Sequence, residues 1–388
     1  MSQTATSAPR RPQPRPGLMD IVPYQAGRAP EPKDGRPVYK LSSNESGLGP
    51  SPAAMEAFRE AATSLEVYPD GASSRLKAKI AEVHGLPEAN IWVGAGSDEV
   101  ISGLARGFAG EGASIVQTRH GFSYYWLAAL AAGAEPIYAP ERALHADVDA
   151  ILGAVRDDTR VVYLANPNNP TGTVIPPSEV RRLREGLPEG VILAIDGAYA
   201  EYMEGETVGN ETYTDGSELV REAIGSGRDD TVMMRTFSKI YGLGGLRVGW
   251  AYAPESVVGV LDRVRSPFNV NAPALAAAEA ALGDRDFVAR NKEHNRTERA
   301  RVAAAAAAMG FGVVPSAANS LLLEMPGADE ARKEAFADDL FAHLAGEGIM
   351  VRGQKGAWLP GHLRVSIGSA EANDAFLAAT RAFVEARG

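Results

Sequence analysis

The segment RTFSKIYGLGGLRVGW, residues 235–250, sets Lys239 directly after Ser238 and eight residues before Arg247, with glycines at 242, 244, 245 and 249. A solvent-facing helix has no use for that glycine content, since each glycine weakens a helix by roughly 1 kcal/mol against alanine. A chain that must double back does. Glycine lets the backbone turn, so that the Arg247 guanidinium returns to the anion that the Ser238 hydroxyl contacts. An amine bracketed by two hydroxyls, Thr236 and Ser238, suits imine formation with an aldehyde that carries an anionic group.

Three further polar clusters stand just behind short apolar runs. After IWV comes GAGSDE, where Gly94 and Gly96 permit a tight turn and Ser97 and Asp98 open a helix. The free N–H groups of that helix start can hold a phosphate, although Ser and Asp also serve as plain helix caps. After RVVYLA comes NPNNPTG, which presents Asn166, Asn168 and Asn169 in a rigid turn; simple turn chemistry would also explain it. After VILAI comes Asp196, with Tyr199 three residues on. A carboxylate at the end of an apolar strand is costly to desolvate without a cation, unless it caps a helix.

Each cluster alone has a plain structural explanation, but four at four strand ends, in this order, point to one ligand, because ligands of open α/β sheets sit beyond the carboxyl ends of the strands. Pyridoxal phosphate matches the set. It needs an amine for its aldehyde, an acid at its pyridine nitrogen, donors at its phenolic oxygen and a cradle for its phosphate. Lys239, Asp196, Asn169 with Tyr199, and Ser97 with Thr236, Ser238 and Arg247 supply these parts respectively.

The elements that must position these residues are readable in outline. Apolar runs NIWVGAG, SIVQT, EPIYAP, RVVYLANPNNP, VILAIDG, TVMMRT and RVGWAYAP are interleaved with helix-length stretches at 98–108, 124–132 and 177–186. That alternation predicts an α/β fold whose large domain holds a mostly parallel seven-stranded sheet flanked by helices. After Pro267 come alanine-rich helical stretches at 273–282 and 287–309, then the strand-like NSLLLEM and HLRVSIG and a last helix, which predict a smaller α+β domain. The expected division is a disordered arm at 1–17, rich in proline and arginine, and an N-terminal segment at 18–50 packing with the small domain. A large cofactor-binding domain at 51–270 and a small domain at 271–388 follow.

Composition bounds the partners. Against 49 acidic residues stand 39 basic ones, a net charge of −10, which leaves no broad cationic field for a nucleic acid. The absence of cysteine excludes disulfides, thiolate metal sites and cysteine nucleophiles, and no metal is expected. No apolar run is long enough to span a bilayer, and no apolar segment follows Arg10 and Arg11, so the expectation is a soluble, cytoplasmic protein acting on small molecules.

The ordered motifs DIVPYQAGR, KLSSNESGLGPSP, VYPDG, GAGSDE, NPNNPTGT, DGAYAEY, RTFSKIYGLGGLRVGW, FNVNAPA and LRVSIG cover nearly the whole chain beyond residue 17. In them the sequence resembles the fold type I pyridoxal-phosphate aminotransferases, and within these the histidinol-phosphate aminotransferases. The resemblance implies that Lys239 forms the internal aldimine and then shuttles the proton between substrate and cofactor carbons. It implies that Asp196 meets the pyridine nitrogen, that Asn169 and Tyr199 bond the phenolic oxygen, and that Phe122 stacks on the ring. Ser97, Asp98, Thr236, Ser238 and Arg247 would hold the phosphate of pyridoxal 5'-phosphate. Tyr24, Asn44, Arg352 and Arg364 would contact the substrate, and Tyr68 would reach the neighbouring subunit's site in a homodimer.

The implied reaction is amino transfer between histidinol phosphate and 2-oxoglutarate or glutamate. An aromatic amino-acid aminotransferase on the same scaffold is the alternative, followed by a related decarboxylase. A cofactor-binding transcriptional sensor would require a DNA-binding module, and the arm before LMDIVPY is too short and too poor in apolar residues for one. Several features depart from the family pattern: the long MEGETVGNETYTDG stretch and the tryptophan in KGAWLPGH, both expected to reshape the substrate mouth, together with Gly197 and the ESG at 45–47.

Overall fold

A computed structural model of the chain describes residues 13–15, 17–21 and 37–387. The seven expected strands form a single sheet: β1 (Ile91–Gly94), β2 (Ser114–Thr118), β3 (Glu135–Ala139), β4 (Thr159–Ala165), β5 (Ile192–Asp196), β6 (Thr231–Thr236) and β7 (Gly249–Tyr252). Their spatial order is β1-β7-β6-β5-β4-β2-β3. β7 runs antiparallel to both of its neighbours, while the other pairings are parallel. In consequence β4, β5 and β6 end side by side, with Ala165 opposite Asp196 and Asp196 opposite Met234.

Strand alternation divides the apolar residues between two faces. Ile91, Val93, Met233, Trp250 and Tyr252 face one core cluster, and Trp92, Val232, Met234 and Ala251 face the other. Burying each large apolar side chain contributes roughly 1.5–3 kcal/mol, so a one-residue slip in any central strand would forfeit several such terms. The first face is covered by helices α1 (Pro52–Ala61) and α2 (Ser74–His84); the second by α3 (Ser97–Phe108) and α4 (Tyr124–Ala132). Ser51 caps α1 by accepting from the Ala54 N–H at 3.1 Å.

Helix α5 (Ala272–Gly283), which the sequence reading assigns to the small domain, belongs to the first core cluster instead. Ala274, Ala277, Ala278, Ala281 and Leu282 form one helical stripe packed with Ala54, Leu76 and Ile80. The small side chains allow close approach to α1, and no feature of an alanine-rich stripe announces which lobe it will join. The long helix α6 (Arg285–Ala308) then leads to a second lobe.

That lobe holds a four-stranded antiparallel sheet, β8 (Gly312–Val314), β9 (Ser320–Glu324), β10 (Arg352–Gly353) and β11 (His362–Ser366), in the order β8-β9-β11-β10. Helices α7 (Glu330–Gly346) and α8 (Ala370–Glu385) cover it. Its core joins Leu321, Leu323, Leu363 and Val365 to Leu340, Leu344 and Phe376. Leu41 enters the same core, and Tyr39–Lys40 pairs in parallel with Ile349–Met350, so residues 39–41 are held by this lobe. Among the described residues no helix is long and apolar enough to cross a membrane.

Candidate active site

A cavity of about 690 Å³ opens at the carboxyl ends of β4, β5 and β6. Lys239, Asp196, Tyr199 and Asn169 line it, as do Ser97, Asp98, Thr236, Ser238 and Arg247. Phe122, Asn44 and Arg364 complete the set of sequence-selected residues that meet there.

The anion cradle is built at the start of α3. Gly96 has φ +83°, and a Cβ on it would lie 2.5 Å from Arg247 Nη2. A Cβ on Gly249 would lie 2.3 Å from the Ser97 amide nitrogen. Both glycines therefore allow β7, the helix start and the arginine to converge. Arg247 Nη1 donates to Ser238 Oγ at 3.1 Å and to the Gly244 carbonyl at 3.0 Å, while Nη2 donates to Asp98 Oδ2 at 2.9 Å. The Thr236 hydroxyl donates to Ser238 Oγ at 3.0 Å. Hydroxyls, a guanidinium and a helix N-terminus in one concavity are the donor set of a phosphate site.

Asp196 is 4% exposed. Its carboxylate accepts from the Tyr125 hydroxyl at 2.7 Å and from the Ala198 N–H at 2.9 Å. Burial pushes its pKa up, and the Tyr125 and Ala198 hydrogen bonds only partly oppose that. Among the described residues no cationic side chain forms an ion pair with it, so a protonated ring nitrogen would supply the missing counter-charge. Tyr125 was not selected from the sequence; its signal is a tyrosine in an otherwise apolar helix, whose buried hydroxyl must find a partner.

Lys239 is half-buried. Its Nζ lies 5.8 Å from the Tyr199 ring centroid and 3.5 Å from the Ser43 carbonyl. The Tyr199 hydroxyl accepts from Asn44 Nδ2 at 2.8 Å. Asn44 has φ 56°, and its backbone is fixed from the small lobe, its N–H on Ser366 Oγ at 2.8 Å and its carbonyl on Asn319 Nδ2 at 2.9 Å. Asn319 and Ser366, also not selected from the sequence, thereby tie the two lobes at the site.

The asparagine run divides by role. Asn166 bonds Ile175 at both ends of its amide (3.1 and 2.9 Å), and Asn168 bonds Thr171 Oγ1 at 2.9 Å, so these two stabilise the turn. Only Asn169 lines the cavity, where its Oδ1 accepts from Arg364 Nη1 at 2.6 Å. Arg364 Nη2 donates to the Ser42 carbonyl at 2.6 Å. Its neighbours Leu363, Val365 and Ile367 enter the small-lobe core, so alternation aims Arg364 toward the cavity. Phe122 sits edge-on to Tyr125, with centroids 5.7 Å apart.

Two of the described sequence-selected residues, Arg352 and Tyr68, are not part of this cavity wall. Arg352 lies on β10 directly opposite Arg364 in the antiparallel register, which puts both side chains on one face of the sheet. Tyr68 is 78% exposed and stacks on Phe268 with centroids 4.7 Å apart. Tyr24 lies outside the described residues. Of the departures from the family pattern, Glu45 and Ser46 line the cavity, whereas the MEGETVGNETYTDG stretch and KGAWLPGH do not. Residues 207–212 form a hairpin elsewhere, and Trp358 packs edge-on against Tyr138 at 4.9 Å.

Comparison with known proteins gives a consistent picture. The family model for aminotransferase class I and II matches residues 36–379. The chain is 49% identical to the histidinol-phosphate aminotransferase of Ruegeria pomeroyi, over 96% of this chain and 98% of that one. It is 47% identical to the enzyme of the same name from Paramagnetospirillum magneticum, over 97% and 99%. The crystal structure of histidinol-phosphate aminotransferase from Sinorhizobium meliloti, in complex with pyridoxal-5'-phosphate, superposes with a TM-score of 0.86 at 28% identity, covering 99% of this chain and 100% of that one.

Proposed function

The chain belongs to the class I and II aminotransferases, and within them to the histidinol-phosphate aminotransferases, and from that premise we propose how its cavity carries out the amino transfer. The enzyme exchanges an amino group between histidinol phosphate and 2-oxoglutarate or glutamate, with pyridoxal 5'-phosphate as cofactor. When bound, the cofactor supplies an electron sink for the charge that develops on the substrate α-carbon. Lys239 Nζ would hold the cofactor's aldehyde and is the amine placed to take and return the proton at the substrate α-carbon. Asp196 pairs with the ring nitrogen, relieving the cost of its own burial. Asn169 and Tyr199 donate to the phenolic oxygen, and Phe122 covers the ring face. Ser97, Asp98, Thr236, Ser238 and Arg247 hold the phosphate, with Asp98 orienting the Arg247 guanidinium. The same reading includes a homodimer in which Tyr68 completes the neighbouring site, a role for Tyr24 and Asn44 beside the substrate, and the cytoplasm as its place of work.

The observation that carries the substrate assignment is the pairing of Arg364, at the cavity wall, with Arg352 opposite it in register. Two guanidiniums suit a phosphate dianion, each charge-assisted bond being worth about 1.5–3 kcal/mol, or roughly ten- to a hundredfold in kcat/KM. A carboxylate substrate needs mainly Arg364. Arg352→Ala is therefore expected to impair histidinol phosphate strongly and phenylalanine or glutamate mildly, whereas Arg364→Ala impairs all three. Equal losses for every substrate in Arg352→Ala would move the aromatic aminotransferase reading ahead.

A further inference from the structure

A second cavity, of about 300 Å³, shares no lining residue with the first. It lies where α6 faces the 203–207 segment and the loop at 315–317. Thr207 of its wall belongs to the hairpin Thr207–Val208/Glu211–Thr212, so the long stretch between Asp196 and Lys239 builds this cavity and not the mouth of the first.

Lys292, Arg296 and Arg299 present three cations from one face of α6. Two are already matched, Lys292 by Glu206 at 3.3 Å and Arg296 by Glu293 at 2.6 Å. Arg299 forms no ion pair among the described residues; its Nη1 donates to the Ala318 carbonyl at 2.7 Å. Desolvation pulls its pKa down, and the Glu206 charge only partly opposes that. Beside it stands Asn295, 4% exposed, whose Nδ2 donates to the same carbonyl at 3.3 Å. The Asn295 Oδ1 is buried without a hydrogen-bond partner. Val174, Met203 and Ala317, members of one small apolar cluster, form the opposite wall.

An under-matched guanidinium calls for an anion, an unpartnered carbonyl oxygen for an N–H or O–H donor, and the apolar wall for a short aliphatic group. We propose that this cavity is a regulatory site for a free α-amino acid. The carboxylate pairs with Arg299, the ammonium donates to Asn295 Oδ1 near the Glu206 carboxylate, and the side chain lies on Val174, Met203 and Ala317. The site goes beyond the amino-transfer reading and does not depend on which substrate the first cavity takes. Occupancy has a short path to that cavity. Ala318 precedes Asn319, which holds the Asn44 carbonyl, and Met203 ends the helix that follows Tyr199.

The test uses 2-aminoisobutyrate, which lacks an α-hydrogen and cannot be transaminated, with 2-hydroxyisobutyrate and isobutyrate as matched probes. Calorimetric titration is carried out on holoenzyme reduced with borohydride, in which Lys239 is locked. One equivalent of 2-aminoisobutyrate per chain is expected to bind. The affinity should fall about tenfold or more in Arg299→Gln and in Thr207→Tyr, the latter a larger side chain at an exposed lining position. Isobutyrate, without a donor for Asn295, should bind about tenfold more weakly. Arg364→Ala, in the first cavity, should leave this binding intact. In unreduced enzyme, 2-aminoisobutyrate should change kcat, and the two cavity variants should lose that response. Absence of saturable binding, binding untouched by both cavity variants, or binding without any change in kcat overturns the proposal. Equal affinity for 2-hydroxyisobutyrate overturns the amino-acid assignment.

Discussion

Lys239 and Asp196 reach one cavity from the ends of adjacent strands, and the role proposed for each follows from what surrounds it. Lys239 Nζ meets a carbonyl and an aromatic face, with no carboxylate in ion-pair contact among the described residues, so its amine is accessible to an aldehyde. Removing it leaves the anion cradle and Asp196 in place. Lys239→Ala should lower turnover by on the order of a thousandfold or more while cofactor still binds non-covalently, as measured by steady-state assay and equilibrium dialysis. Turnover within tenfold of wild type would refute the proposed role. The residue scale also shows what a sequence can hide. Asn166, Asn168 and Asn169 stand in one turn, yet only Asn169 lines the cavity, because alternate positions of a tight turn point in different directions. Tyr125 escaped selection because its partner, Asp196, is 71 residues away in the chain.

At the scale of elements, the cradle depends on a glycine between β1 and α3. Gly96 holds φ +83°, and a Cβ there would meet Arg247 Nη2 at 2.5 Å. Gly96→Ala should therefore displace the guanidinium from its place beside Ser238 and weaken cofactor affinity by roughly ten- to a hundredfold, with a stability loss of about 1–3 kcal/mol from the backbone alone. Cofactor release followed by dialysis, with thermal unfolding in parallel, measures both; unchanged affinity would mean that the cradle does not rely on Arg247. The strands that carry this architecture were legible as apolar runs closed by glycine, asparagine or proline, and all seven lie in the sheet. Less legible was direction. Nothing local in RVGWAYAP distinguishes an antiparallel β7 from a parallel one. The lobe joined by α5 was equally hidden, since its alanine stripe would fit against any helix.

For the whole molecule, the site is closed by contacts that cross between lobes, from Asn44, held on the small lobe, to Tyr199 and from Arg364 to Asn169. The resemblance to a family selected Asn44, Tyr199, Asn169 and Arg364 but not Ser366, whereas periodicity alone could pair none of them, because Asn44 and Tyr199 stand 155 residues apart and Asn169 and Arg364 195. The proposed dimer extends the same logic to a second chain. Tyr68 and Phe268 form a stacked, exposed aromatic pair outside their own chain's cavity. Heterodimers of Lys239→Ala with an inactive Tyr68 variant should recover part of the activity, since one of the two sites is then intact; demonstrably mixed dimers without recovery would contradict sharing. The central claim is amino transfer from histidinol phosphate, and the most direct measurement is the half-reaction of purified holoenzyme, followed by the cofactor's absorbance, with histidinol phosphate, phenylalanine, tyrosine and glutamate in turn. Conversion of the cofactor to its amino form is expected with histidinol phosphate and with glutamate, with a specificity constant for histidinol phosphate at least about tenfold above those of the aromatic amino acids. No conversion by histidinol phosphate, or faster conversion by phenylalanine or tyrosine, would contradict the central claim.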